Sequence, residues 1–340
     1  MEACVPSLRG GELLASHRRR RLPARSAAPE AGSSVASVAA GTARNDDRER
    51  ICRLDSFKRL KQIGEGAFGT VSKARDRRTG EVVAIKSARD GSSEAAAALL
   101  REAAMLAACA GNPAVVALRE VAWSEDGGLH LVMEFVGHSL HDIISARRRH
   151  GLRFTESEAR HAMAQLLAGV GSMHAHGIVH RDLKPGNVLV GEHDRRLKIC
   201  DLGLARSAAA PLPDARLEGT LGYIAPEALL CQKNCGGPVD IWALGCIMAD
   251  LVGGEKLFPE EDEYRQLISI MDLLGIPDDV SLMPLGITAA APSKLREKVP
   301  EERLSPAGFE VLCGLLEYDP KDRLTAAAAL QMPWFEGKED

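Results

Sequence analysis

The chain has 340 residues, 45% hydrophobic and 26% charged, with a formal net charge of −4. That is enough to bury substantial cores in a folded unit of about 285 residues plus a tail. No apolar run reaches the roughly 20 residues of a membrane span; the best candidate, Ala95 to Ala110, is interrupted by Arg101 and Glu102.

Charge and cysteine usage narrow the class. Residues 1–53 hold ten arginines, no lysine and six acids, a net +4 that leaves −8 on the rest. An acidic body argues against a nucleic-acid-binding protein built on the arginine-rich tail. Eight cysteines show no disulfide-scaffold rhythm. No secretory apolar region precedes them, so an intracellular location, nuclear or cytoplasmic, is expected.

In chain order, residues 1–52 are rich in Ala, Ser, Arg and Gly without period and are expected to be disordered. Arg18-Arg19-Arg20-Arg21 with Arg25 has three readings: a nuclear import patch, part of an organelle transit peptide, or a solvated tail. Residues 53–136 read as strands around Lys61-Gln62-Ile63, Thr70 to Arg75, Glu81 to Ser87, Val115 to Trp123 and Leu129 to Phe135. One helix interrupts them, Ser93 to Ala110, stopped by Gly111-Asn112-Pro113. Over residues 137–340 helical signals prevail, beginning with a capping box at Thr155-Glu156-Ser157-Glu158 and apolar residues recurring through Met173. Cys231 and Cys235 have loose metal-like spacing without a second ligand pair, so zinc stands against a structural pair of thiols.

Gly64-Glu65-Gly66-Ala67-Phe68-Gly69-Thr70-Val71 fits G-x-G-x-x-G-x-V, and Val83-Ala84-Ile85-Lys86 follows. Downstream come His180-Arg181-Asp182-Leu183-Lys184-Pro185-Gly186-Asn187, then Asp201-Leu202-Gly203, then Ala225-Pro226-Glu227. A lone glycine triplet is weak, since a dinucleotide-binding turn or a plain hairpin also explains it. In this order the elements resemble the eukaryotic protein kinases. The resemblance, from Phe57 to Phe335, implies an α+β fold: a small antiparallel-sheet lobe with one helix (53–136) and a larger, mainly helical lobe (137–340).

The chemistry expected is transfer of the γ-phosphoryl of Mg-ATP to protein serine or threonine. Asp182 is the candidate base, orienting the acceptor hydroxyl and taking its proton late. Lys184 neutralises the γ-phosphoryl, and its place two residues on argues for serine or threonine acceptors. Asn187 and Asp201 are hard oxygen donors suited to Mg2+. Glycines at 64, 66 and 69 let a flap of residues 64–69, Glu65, Ala67 and Phe68 included, lie close over phosphates. Lys86 serves the α- and β-phosphates, with Glu102 as its orienting partner or else a surface helix residue. Adenine is expected between Ile63, Val71 and Ala84 above and Leu189 below, on the backbone of Glu134 and Val136, with Met133 at the back. Each apolar member has an ordinary core reading as well. Cys200 is either an alkylatable thiol at the back of this pocket or a buried inert one. His174, His176 and His180 fall at a helix end and a loop start, which disfavours a metal cluster.

Several stretches resemble the cyclin-dependent kinase branch: Val239-Asp240-Ile241-Trp242-Ala243-Leu244-Gly245-Cys246-Ile247, Leu257-Phe258-Pro259, Leu273-Leu274-Gly275-Ile276-Pro277-Asp278, and Leu316 to Leu324. The Ala- and Arg-heavy composition and N-terminal extension look similar to plant F-class members. The resemblance implies that Arg323 pairs with Glu227, that Asp240 braces the catalytic loop, and that the partners are protein substrates, with a cyclin-like partner uncertain and the chain itself a monomeric catalytic subunit. Departures matter. The cyclin-facing helix reads Ala96-Ala97-Ala98-Leu99-Leu100-Arg101-Glu102, and Gly222-Tyr223-Ile224 stands where the branch has Trp-Tyr-Arg, so cyclin dependence and proline-directed specificity are both open. Ala67-Phe68 replaces an inhibitory Thr-Tyr pair, and Ala215 the activating phosphothreonine. Asp214 is then expected to give Arg181 a built-in anion, or to be a solvated turn residue. The rival to an active enzyme is a pseudokinase acting as a nucleotide-binding scaffold.

Overall fold

Residues 52–66, 69–209, 217–230, 235–259, 261–275 and 292–337 are described by the computed structural model, all within one unit, Glu49–Asp340. The tail before Cys52, Ala67, Phe68, Asp214, Ala215 and Cys231 lie outside the described residues.

The first layer is a six-stranded sheet of β1 (Cys52–Arg53), β2 (Phe57–Gly66), β3 (Gly69–Asp76), β4 (Val82–Ser87), β5 (Leu118–Trp123) and β6 (Leu129–Glu134), with α1 (Ser93–Ala108) between β4 and β5. Strand order is β1-β5-β6-β4-β3-β2; β1 runs parallel to β5 and the other pairs are antiparallel. The pleat sends alternate side chains to opposite faces. On β4, Val83 and Ile85 pack with Phe57, Ala74, Ala122 and Val132, so Ala84 and Lys86 point to the other face.

Helix α1 starts where the Ser92 side chain accepts the Ala95 amide at 3.2 Å. It ends two residues short of the expected Ala110, and Gly111 then takes φ 89°. Leu99, Glu102, Ala103 and Leu106 are its buried stripe, at helical spacing. Glu102 is therefore carried into the core by the same period as the leucines, and the surface reading is wrong.

The strand expected from Val115 begins only at Leu118. Val115 instead bridges Ile199; Val116 N–H donates to Ile199 O at 2.9 Å and Ile199 N–H to Ala114 O at 2.7 Å. Backbone groups satisfied by the second layer cannot also join the sheet. Asn112 adds a stitch through Nδ2 to Gly169 O at 2.9 Å, and a Cβ at Gly169 would collide with Ala114.

The second layer contains β7 (Gly137–Ser139), α2 (Leu140–Arg149), α3 (Glu156–Ala175), β8 (Ile178–Val179), β9 (Val188–Gly191), β10 (Leu197–Ile199), β11 (Arg206–Ser207), α4 (Pro226–Leu229), α5 (Pro238–Gly253), α6 (Glu263–Leu274), α7 (Leu295–Lys298), α8 (Pro306–Leu315), α9 (Ala326–Leu330) and α10 (Pro333–Glu336). Both halves of the expected capping box open α3: Glu158 N–H donates to Thr155 Oγ1 at 3.2 Å and Thr155 N–H to Glu158 Oε2 at 2.9 Å. Helix α5 is buried without a break from Asp240 to Val252, which makes it the central helix. Its Trp242 stacks on Phe258 with centroids 6.2 Å apart. The ladders β10-β9-β7 and β11-β8 carry the segments that bear the polar site residues. Among the described residues no helix is long and apolar enough to cross a membrane.

Candidate active site

Lys86 Nζ donates to Glu102 Oε1 and Oε2 at 2.8 and 2.7 Å, and to Asp201 Oδ1 at 2.7 Å. Strand β4, helix α1 and the turn after β10 thus meet at one ammonium. Burial alone would drive Lys86 down, but the charges of Glu102 and Asp201 outweigh it and hold its pKa above the ordinary value. Burial likewise raises Glu102, with Asp201 adding to it and Lys86 opposing. At Asp201 burial is overcome by Lys86, and its pKa is lowered. Asp201 sits at φ 61°, ψ 71°, a left-handed conformation costly for a residue with a side chain and typical of functional turns.

Below lies the loop His180–Asn187. Asp182 Oδ2 accepts Lys184 Nζ at 2.9 Å and Asn187 Nδ2 at 3.1 Å, while Oδ1 accepts the Thr220 hydroxyl at 2.7 Å. Lys184 Nζ also donates to Thr220 Oγ1 at 2.6 Å. The site therefore already holds an alcohol between a carboxylate and an ammonium. Asp240, 1% exposed, accepts the His180 and Arg181 amides at 2.8 Å each, and its Oδ2 lies 2.9 Å from His174 Nε2. His180 Nε2 bonds Cys200 O at 3.1 Å and its Nδ1 takes the Asp182 amide at 3.2 Å. The three histidines are separately occupied, since His176 Nδ1 bonds Ser172 O at 2.7 Å.

Asn187 Nδ2 also donates to Asp182 O at 2.9 Å, which turns its Oδ1 away as an unused acceptor. Asp201 gives Lys86 one oxygen and keeps the other. Among the described residues no group of three His, Cys, Asp or Glu could hold a metal. Two hard oxygens instead fit a divalent cation that brings phosphates and waters of its own.

Of the three flap glycines, only Gly69 is demanded by the protein's own backbone, at φ 133° and against Ser87 O. A Cβ on Gly64 meets nothing nearer than Val71 at 3.6 Å, and one on Gly66 meets nothing within 4 Å. Their missing side chains leave room over the cleft. Glu65 is exposed and accepts Gln62 Nε2 at 3.1 Å. Val71 pairs directly with Lys86; Ala84 and Met133 are adjacent partners across β4 and β6 and are buried, whereas Ile63 is 41% exposed. Leu189 and Val136 are half-buried. The Glu134 amide is already donated to Ala117 O at 3.0 Å, and its carboxylate binds Lys198 Nζ at 2.6 Å. Its backbone can therefore offer a ligand only the carbonyl. Burial, with the Asp201 charge, pushes the Cys200 thiol up to about 12, which favours the inert reading.

Five contacts around the segment that follows Glu218 and the catalytic loop escaped the sequence reading. Gln266, fully buried, accepts the Gly222 amide at 2.7 Å and donates to Ile224 O at 2.8 Å. Lys256 Nζ donates to Leu221 O at 2.6 Å. Asp250 Oδ2 accepts the Tyr223 hydroxyl at 2.6 Å. Arg181 meets Glu218 at 2.9 Å, a carboxylate the sequence reading did not name.

A strand-rich lobe carrying a lysine–glutamate pair above a loop of aspartate, lysine and asparagine makes a phosphotransferase of the protein kinase class. Residues 57–335 match the protein kinase domain. The chain is 45% identical over 299 residues to a protein of Oryza sativa subsp. japonica named as cyclin-dependent kinase F-2, covering 83% of this chain and 90% of the relative. It is 36% identical over 302 residues to cyclin-dependent kinase B2-1 of Arabidopsis thaliana, with 84% and 95% covered. With cyclin-dependent kinase G-2 of Oryza sativa subsp. indica it shares 38% over 303 residues, 84% of this chain but 42% of the relative. The chain belongs to the protein kinase family, in its cyclin-dependent-kinase-like branch. It is a serine/threonine protein kinase, and such a domain uses ATP with a divalent metal.

Proposed function

We infer that the chain transfers the γ-phosphoryl of Mg-ATP to serine or threonine hydroxyls of protein substrates. The observation that carries this is the Thr220 hydroxyl held at 2.7 Å from Asp182 and 2.6 Å from Lys184, which supports a site able to seat an alcohol against a base and a cation. Asp182 orients the acceptor hydroxyl and takes its proton. Lys184 steadies charge on the transferring group, and Lys86, set by Glu102, holds the α- and β-phosphates. Asn187 Oδ1 and the second oxygen of Asp201 would hold Mg2+, which would neutralise phosphate charge when bound. Gly64, Gly66 and Gly69 carry the flap. Ile63, Val71, Ala84, Met133 and Leu189 enclose adenine against the Glu134 carbonyl and the Val136 backbone.

The Lys86–Glu102 pair is made within the single chain, and the intermediate-to-exposed face of α1 is mostly alanine with Leu100 48% exposed. Both support activity as a single catalytic chain, without a cyclin to seat the helix. Dependence on ATP supports an intracellular site of action. The test is incorporation of labelled phosphate into a serine/threonine peptide library by the full chain with Mg-ATP. Transfer that falls at least about 100-fold in Asp182→Asn is expected. ATP binding without transfer would instead establish the nucleotide-binding scaffold.

A further inference from the structure

Glu218 lies in the stretch that returns to the catalytic loop, two residues before Thr220. Its Oε2 accepts Arg181 Nη1 at 2.9 Å and its Oε1 accepts Arg206 Nη2 at 3.1 Å. One carboxylate thus joins the residue before Asp182 to strand β11, just past Asp201. The side chains of Arg181, Arg206 and Glu218 are 14%, 34% and 21% exposed, so solvent and salt screen these pairs less than a surface pair. Among the described residues neither guanidinium has another acidic partner. Removing the carboxylate would leave two like charges facing each other.

Arg181 also stands at φ 70°, a left-handed conformation that a residue with a side chain keeps only when its surroundings hold it. Two anchors do so. Asp240 Oδ1 takes its amide at 2.8 Å and Glu218 takes its guanidinium. The next residue is Asp182, so the direction of that carboxylate depends on both.

We propose that Glu218 is a positioning residue for phosphoryl transfer: a permanent anion that clamps Arg181 and Arg206, and so sets Asp182 and the Thr220–Lys184 pair with no phosphate on the segment between Asp201 and Glu227. The proposal rests on the kinase reading above and gives Glu218 the role expected of Asp214. The hydroxyl residues of that segment are Ser207, Thr220 and Tyr223. Thr220 is bonded to Asp182 and Lys184, and Tyr223 to Asp250, which leaves exposed Ser207 as the accessible acceptor. With the carboxylate in place, the arginines need no added phosphate to gather them.

The test compares phosphatase-treated full chain with Glu218→Gln, Glu218→Asp, Arg206→Gln and the double variant of Arg206→Gln with Glu218→Gln. Treated wild type keeps its turnover. Glu218→Gln lowers kcat about 10- to 100-fold with KM for ATP within about 3-fold, because it misplaces the acceptor site and leaves the nucleotide contacts alone. Glu218→Asp recovers part of the loss, and adding Arg206→Gln to Glu218→Gln costs little more because the pair acts as a unit. Should Glu218→Gln fail to fold, Glu218→Asp and Arg206→Gln carry the same comparison. Loss of activity on phosphatase treatment, or a kcat untouched by Glu218→Gln, overturns the clamp. If wild type transfers no phosphate, the kinase reading fails by itself. Hydrogen exchange of the 180–184 amides without nucleotide still decides then: faster exchange in Glu218→Gln supports the clamp, and unchanged exchange overturns it.

Discussion

Lys86 has two roles that one substitution removes together. In the proposed function it is the cation for phosphates, and it compensates Glu102, whose side chain is 2% exposed. Lys86→Met is expected to lower turnover at least about 100-fold. It also destabilises the fold by about 3 kcal/mol at neutral pH, because a buried carboxylate loses its partner. Burial already raises Glu102 above its ordinary value, with the Asp201 charge adding to it. Without Lys86 the unfolded state would therefore release its proton first as pH rises, and the stability deficit should grow with pH. Adding Glu102→Gln should restore stability and leave turnover low, which thermal melting and phosphate transfer measured on both variants will show. Recovery of turnover in the double variant would mean that Lys86 serves only the ion pair. The pair itself was legible through short motifs, Lys86 closing Val83-Ala84-Ile85-Lys86 and Glu102 standing in Leu100-Arg101-Glu102 of the one helix between the strands.

Among the elements, the junction of α4, α5 and the turn after α8 hangs on Arg323. Its Nη1 and Nη2 donate to Glu227 at 2.7 and 2.9 Å, and the remaining donors reach Pro238 O, Tyr318 O and Glu317 O at 2.8, 3.1 and 2.8 Å. All five guanidinium hydrogens are used, and the side chain is 0% exposed. Lysine brings three donors without the planar fork. Arg323→Lys should cost about 3 kcal/mol in urea unfolding, and a loss below about 1 kcal/mol would show that the junction is held by packing alone. The Arg323–Glu227 pair was expected from resemblance and both residues could be named in advance. Of the carbonyls that complete its coordination, Glu317 O and Tyr318 O lie in the turn just before it, and Pro238 O belongs to α5, which only the packed core brings within reach.

Stability of the whole molecule should depend on pH through groups shifted in opposite directions. Burial pushes Asp250 up to about 7, against the Tyr223 hydroxyl, the Leu257 amide and the Lys256 charge. An acid raised in the folded state favours folding while protonated, so its contribution declines as pH rises from about 4 to about 7. Glu158 moves the other way: its hydrogen bond from Arg147 leads, burial opposes, and the carboxyl is held near about 2. That contribution is present above about pH 4.5 and fades as pH falls toward 2; the group is 41% exposed, so solvent reduces its weight. Maximum stability is expected between these windows. Asp250→Asn should flatten the decline in melting temperature between about pH 4 and 7, and an unchanged slope would place the titrating group elsewhere.

The sequence by itself determined the kinase class, the alternation that sends Lys86 to the cleft, the helical stripe that buries Glu102, the capping box at Thr155 and the loop from His180 to Asn187. These follow from periods and short motifs, which act within a few residues. Tertiary structure alone decided that Val115 leaves the sheet to pair with Ile199, that the Glu134 amide is spent on Ala117, and that Arg181 turns to Glu218. Each of these is settled by competition for one hydrogen-bonding or charged group between segments distant in the chain, and the winner is whichever partner the packed core brings within about 3 Å.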